Sequence, residues 1–220
     1  IDLGDNAIII ENCDYSDVGS VLTGDSLSST VGILADDTNS DLTLNGTEVS
    51  GYATGVSKEN GVLFMIGDAE IAGTDYGVYA EDTYVYALVA HVDGGATGTG
   101  LHVVDSPDAW VYPMDASGAI GMYVENTPFR WDGGVSDATT ALSVVDATGT
   151  VENLTWSAST TQVNAGSNAH ITSIGNTLDA SKLVVASSAV IDEANLMSID
   201  STHLGAAPSS EVALLLTSTD

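Results

Sequence analysis

The chain has 220 residues and 22.4 kDa, with 3 Lys and Arg against 31 Asp and Glu, giving a formal charge of −28 and a pI near 4.1. Nucleic-acid binding is excluded, because neutralising phosphates needs clustered cations that this chain lacks. With 44% hydrophobic residues and a mean hydropathy of +0.18 it still carries enough apolar side chains for a packed core, and 23 Gly, 22 Asp and only 9 Glu favour turns over helices.

In chain order, one six-residue signature recurs: AIIIEN from Ala7, GILADD from Gly32, GVSKEN from Gly55, GVYAED from Gly77, GLHVVD from Gly100, GMYVEN from Gly121 and ALSVVD from Ala141. The copies are about 22 residues apart, and weaker ones follow as QVNAGS at Gln162 and LVVASS at Leu183. Within each copy the second and fourth positions are apolar, a period of two that makes a strand with one buried face. Ile33, Val56, Val78, Leu101, Met122 and Leu142 are thus expected in one inward stack. A second apolar segment follows each signature: LTL at Leu42, VLFMI at Val62, YVYAL at Tyr84, AWVYP at Ala109, FRW at Phe129, VENLTW at Val151 and HITSI at His170.

Short strands at one phase, with no amphipathic helix between them, predict an all-β chain of parallel strands stacked coil on coil. The pattern resembles the right-handed parallel β-helix of pectate-lyase-like and related surface or secreted proteins. It predicts a solenoid of about eight coils over 1–205, with 206–220 as a C-terminal cap or docking segment, and the strand-like opening IDLGDNAIIIEN reads as a piece of something longer. No run of 18 apolar residues predicts a membrane span. The lone Cys13, between acidic neighbours, is neither half of an internal disulfide nor a favoured thiolate nucleophile.

The sixth signature position is Asn12, Asp37, Asn60, Asp82, Asp105, Asn126 and Asp146. Short polar side chains at a corner satisfy tight turns and bond between coils. The functional alternative is Ca²⁺ between stacked carboxylates, with Asp36, Asp37, Asp82 and Asp105 as candidate ligands. Lys58 breaks the apolar fourth column, and a twist or bulge is expected to carry its ammonium out to the acidic surface near Asp36 and Glu59.

The outward third column places Tyr79, His102 and Tyr123 in a row, with Glu81 and Glu125 beside them. Rings beside carboxylates are what sugars use for stacking and hydroxyl bonds, and the family resemblance implies a substrate groove on a strand face of this kind. Simple ring-on-ring stacking is the plainer explanation. About half of the aromatic residues on the second segments must point inward, and the Arg130 guanidinium is expected to pack on Trp110, Phe129 or Trp131.

The resemblance implies, for a lyase, a basic catalytic residue assisted by Ca²⁺, and for a hydrolase the NTD, DD, GHG and RIK clusters. Only Lys58, Arg130 and Lys182 are basic, on different coils, and only DD occurs, at Asp36 and Asp37. His91, His102, His170 and His203 lack zinc-site spacing. A charge of −28 repels itself unless salt or divalent cations screen it, which points to saline, extracellular or cell-surface surroundings and a marine or halophilic source. Sequons at Asn45 and Asn153 are compatible with glycosylation. The expectation is a non-enzymatic surface β-helix acting as a rigid structural, adhesive or assembly segment, whose partners are other copies, flanking domains of the same chain, or glycans. The alternative is a carbohydrate-binding or polysaccharide-cleaving β-helix using the Tyr79 row.

Overall fold

The structure is a computed structural model and describes residues 6–11, 13–25, 30–36, 40–157 and 159–194. It is an all-β parallel solenoid of about eight turns, with about 22 residues per turn. The first face is built from the signatures: Asn6–Ile9, Val31–Ala35, 54–59, 76–81, Thr99–Val104, Ile120–Glu125, Thr140–Val145, Thr161–Ala165 and Leu183–Val185. The second segments form the second face, from Tyr15–Val18 and Asp41–Asn45 through 62–66, 84–88, Ala109–Val111, Phe129–Asp132, Thr148–Glu152 and His170–Ile174 to Val190–Ala194.

A third face, absent from the two-strand reading of the repeat, closes each turn. It comprises Val21–Thr23, 48–50, 69–72, 90–93, Met114–Ser117, Val135–Ser136 and Thr155–Trp156. In several turns the chain rounds the corners without leaving the extended conformation, so Val62–Glu81 is one 20-residue strand serving all three faces.

The expected inward stack is present: Ile33, Val56, Val78, Leu101, Met122 and Leu142 pair in register and each is 0% exposed. The stack continues into Val163 and Leu183. Leu183 thereby occupies the second signature position, so the weak copy LVVASS sits one residue out of phase. The second face contributes Leu42, Leu63, Val85 and Ala109 in one column and Leu44, Met65, Ala87, Val111 and Trp131 in the next, and the third face contributes Val49, Ile71 and Val92. The core is thus a continuous rod enclosed by three sheets.

Close approach explains the glycine that opens most signatures. A Cβ on Gly55, Gly77, Gly100 or Gly121 would lie 2.6–2.7 Å from the carbonyl oxygen of the same position one turn on, inside van der Waals contact with backbone that cannot move without breaking the ladder. The Asx column has its own cause. Asn60, Asp82, Asp105, Asn126 and Asp146 all have φ between 47° and 61°, the left-handed region that Asn and Asp tolerate best after glycine. Just past this corner a hydroxyl ladder satisfies the turning backbone: Thr83 N–H donates to Ser106 Oγ at 3.1 Å, and Ser106 N–H to Thr127 Oγ1 at 2.9 Å.

Lys58 corrects the sequence expectation. Its strand stays in register, Ala35 to Lys58 to Ala80, and the side chain points into the core at 0% exposure. The ammonium reaches the inside of the corner, where it donates to Ser40 Oγ at 3.3 Å, to the Glu59 carbonyl at 3.1 Å and to the Asn60 carbonyl. Backbone carbonyls and a hydroxyl replace part of its lost water, and Asp36 and Glu59 feel its positive charge.

Candidate functional site

The Tyr79 row lies outward on the first face, as the alternation requires. Tyr79 and His102 stack with ring centroids 5.3 Å apart and planes 16° apart, and His102 and Tyr123 with 4.5 Å and 10°. Tyr76 closes the row edge-on, 5.0 Å from His102. The Tyr79 hydroxyl donates to Glu81 Oε2 at 2.6 Å and the Tyr123 hydroxyl to Glu125 Oε2 at 2.7 Å. Burial first, and then these bonds to carboxylates, raise both phenols, Tyr123 to about 12 and Tyr79 further. Burial lowers the His102 imidazole against the opposing pull of Glu125 and Glu81. The structure therefore brings all five residues together, but the His102 ring has both faces covered and the phenols are committed to Glu81 and Glu125. What the row offers a ligand is ring edges and carboxylates.

Of the corner carboxylates, Asp36, Asp82 and Asp105 are exposed, and Asp37 lies outside the described residues. Asn126 Nδ2 donates to Asp105 Oδ1 at 2.7 Å and Asn168 Nδ2 to Asp146 Oδ1 at 2.7 Å, so Asx side chains bond from turn to turn. Among the described residues no three His, Cys, Asp or Glu side chains form a group that could hold a metal ion. Burial raises Asp36 against the attraction of Lys58, and burial followed by the charges of Asp36, Glu81 and Asp82 raises Glu59.

On the second face, Phe129 and Trp131 point inward, at 4% and 0% exposure, whereas Tyr84, Trp110 and Tyr112 point outward at 44%, 44% and 51%. Arg130 departs from expectation: its guanidinium is held by Glu152 at 3.1 Å and Asp132 at 3.3 Å rather than by a ring. Two carboxylates satisfy its fork better than a ring face does.

The third face carries a concave groove of about 600 Å³. One outward column runs Glu48, Glu70, His91 and Asp115, and its neighbour runs Ser50, Ala72, Asp93, Ser117 and Asp137. His91 Nδ1 lies 3.3 Å from Asp115 Oδ2, Asp115 Oδ1 accepts from the Val135 N–H at 2.8 Å, and Asp93 Oδ1 accepts from Ser117 Oγ at 2.7 Å. Sequence reasoning missed this face. Its signal was the polar–apolar–polar triplets EVS, HVD and DAS beginning at 48, 91 and 115, with EIA at 70 in the same phase but ending on alanine, which share the period of the signature.

No protein-family model, curated protein or solved structure matches the chain.

Proposed function

We propose that this solenoid is a non-enzymatic segment of an extracellular or cell-surface protein, serving as a rigid spacer and as a surface for adhesion or assembly. The observation that supports this reading is the unbroken register of the first face, from Asn6–Ile9 to Leu183–Val185, which stacks inward side chains along the whole described rod. A rod with one continuous core bends only by breaking ladder bonds and core contacts together, which is the mechanical property a spacer needs. The high acidity suits saline or Ca²⁺-containing surroundings, where its self-repulsion is screened.

Spin labels at Cys13 and at Ser187→Cys, both exposed and just past the first face of the first and last described turns, test this reading. Eight steps of about 4.8 Å place them roughly 40 Å apart, and the pulsed dipolar distance distribution should be single and narrow. A broad or multiple distribution would overturn the spacer reading.

The third-face groove favours a second reading, polysaccharide cleavage, with the His91–Asp115 pair positioned for general acid–base chemistry beside Glu70 and Asp93. Turnover of neutral or acidic polysaccharides that is lost in His91→Ala would establish it and displace the non-enzymatic assignment.

A further inference from the structure

From the aromatic patch on the second face we infer a binding site for glycans that carry no acidic groups; this deepens the adhesive part of the proposed function and rests on it. The alternation of YVYAL and AWVYP buries Val85, Ala87, Ala109 and Val111 completely and turns Tyr84, Tyr86, Trp110 and Tyr112 outward. Trp110 pairs in register with Tyr86, which pairs with Phe64, and the Tyr112 N–H donates to the Ala87 carbonyl at 2.7 Å, so these outward residues lie on adjacent strands of one face.

The patch differs from the Tyr79 row in the property a ligand needs. Phe64 and Tyr86 stack at 5.1 Å and 15°, but Trp110 is turned 67° from Tyr86 with centroids 6.4 Å apart, so the parallel stack ends there and the indole stays 44% exposed. The hydroxyls of Tyr84, Tyr86 and Tyr112 have no hydrogen-bond partner among the described residues, whereas those of Tyr79 and Tyr123 are tied to carboxylates. Exposed rings at Tyr84, Trp110 and Tyr112 with uncommitted tyrosine hydroxyls match the two sides of a sugar, its C–H face and its hydroxyl rim.

Size and charge choose among occupants. The patch spans about three turns and a five-residue strand, roughly 15 Å by 15 Å, well under the ~800 Å² per partner of a standard protein interface. A second copy would bring a further 28 negative charges against it. Asp82 and Asp105 are exposed at the corner that precedes Tyr84 and Ala109 in the chain, and Arg130, in register with Trp110, is already neutralised by Asp132 and Glu152. The site therefore accepts neutral or amino-bearing sugars and repels uronic acids and sulfated chains.

Tryptophan emission tests this. Of the three tryptophans, Trp131 is fully buried and Trp156 half-buried, so Trp110 is the exposed reporter. The intact chain is titrated with oligomers of glucose, mannose, glucosamine and N-acetylglucosamine, and with galacturonic-acid oligomers of equal length. The expected result is a saturable emission change with at least one non-acidic series and none with the acidic one. Trp110→Ala with Tyr112→Ala should weaken binding, read by calorimetry, at least about tenfold while leaving the melting temperature within a few degrees, and Tyr112→Ser alone serves if the double variant misfolds. Binding that survives intact in these variants, saturable binding of the acidic series alone, or no saturable binding by any non-acidic glycan would overturn the inference. The spin-label distance tests the spacer reading separately.

Discussion

Val89 stands at φ +59°, in a backbone region that costs a β-branched side chain about 1–2 kcal/mol. The same corner in other turns is Gly46, Gly133, Asn153 and Gly175, all with positive φ. The Val89 N–H donates to the carbonyls of Tyr112 and Pro113 at 3.2 and 3.1 Å, so the ladder holds the residue in its conformation and the side chain bears the strain. Val89→Asn, which keeps those bonds and matches Asn153, should stabilise the fold by about 1 kcal/mol, measured as a higher midpoint in urea at unchanged slope. An unchanged or lowered midpoint would show that the ladder tolerates valine here without strain. Lys58 shows the opposite economy: its ammonium is buried outright, yet each backbone carbonyl it meets is one that the tight corner turns inward.

Among the elements, the first-face strands 76–81, Thr99–Val104 and Ile120–Glu125 hold a titratable ring inside an aromatic stack. Burial places the folded-state pKa of His102 below its ordinary value of 6.5, so the unfolded chain takes up the proton first. The contribution of His102 to stability is then complete above about pH 6.5 and is lost as pH falls toward the folded pKa. Asp36, Glu59 and Glu193 act oppositely: burial raises them, the folded chain protonates first, and acidification toward the carboxylate range gains stability. Comparison of the wild type with His102→Gln separates the two effects. Between about pH 7.5 and 5.5 the wild type should lose more stability than the variant, read from denaturant midpoints. Parallel profiles would mean that the imidazole titrates as it does in water.

For the whole molecule, the formal charge of −28 is an unfavourable term that ions can relieve. In-register like charges, such as Glu48 beside Glu70 and Glu59 beside Glu81, recur along the rod. Spread over corners and faces rather than gathered into one loop, they are relieved by diffuse ions more readily than by a single bound one. Sodium chloride should therefore raise the melting temperature, and millimolar Ca²⁺ should add nothing at about 0.5 M salt. A further rise with Ca²⁺ at that salt would mark a coordinated site.

The sequence by itself determined the period, the parallel stack and the inward parity of the first two faces. A side chain such as Ile33 or Leu101 has one strong preference, to leave water, and repeating it every 22 or so residues at one phase admits few other folds. It also brought Tyr79, His102, Tyr123, Glu81 and Glu125 together, because register makes equal positions neighbours. The third face stayed hidden, since a triplet such as EVS or DAS contains one inward residue and too few alternations to read as a strand. Only the tertiary structure decided that the Tyr79 row stacks closed while Trp110 turns out of its stack, and that Lys58 points inward. Those outcomes depend on side-chain torsions and on the few ångströms between adjacent turns, which no single strand encodes.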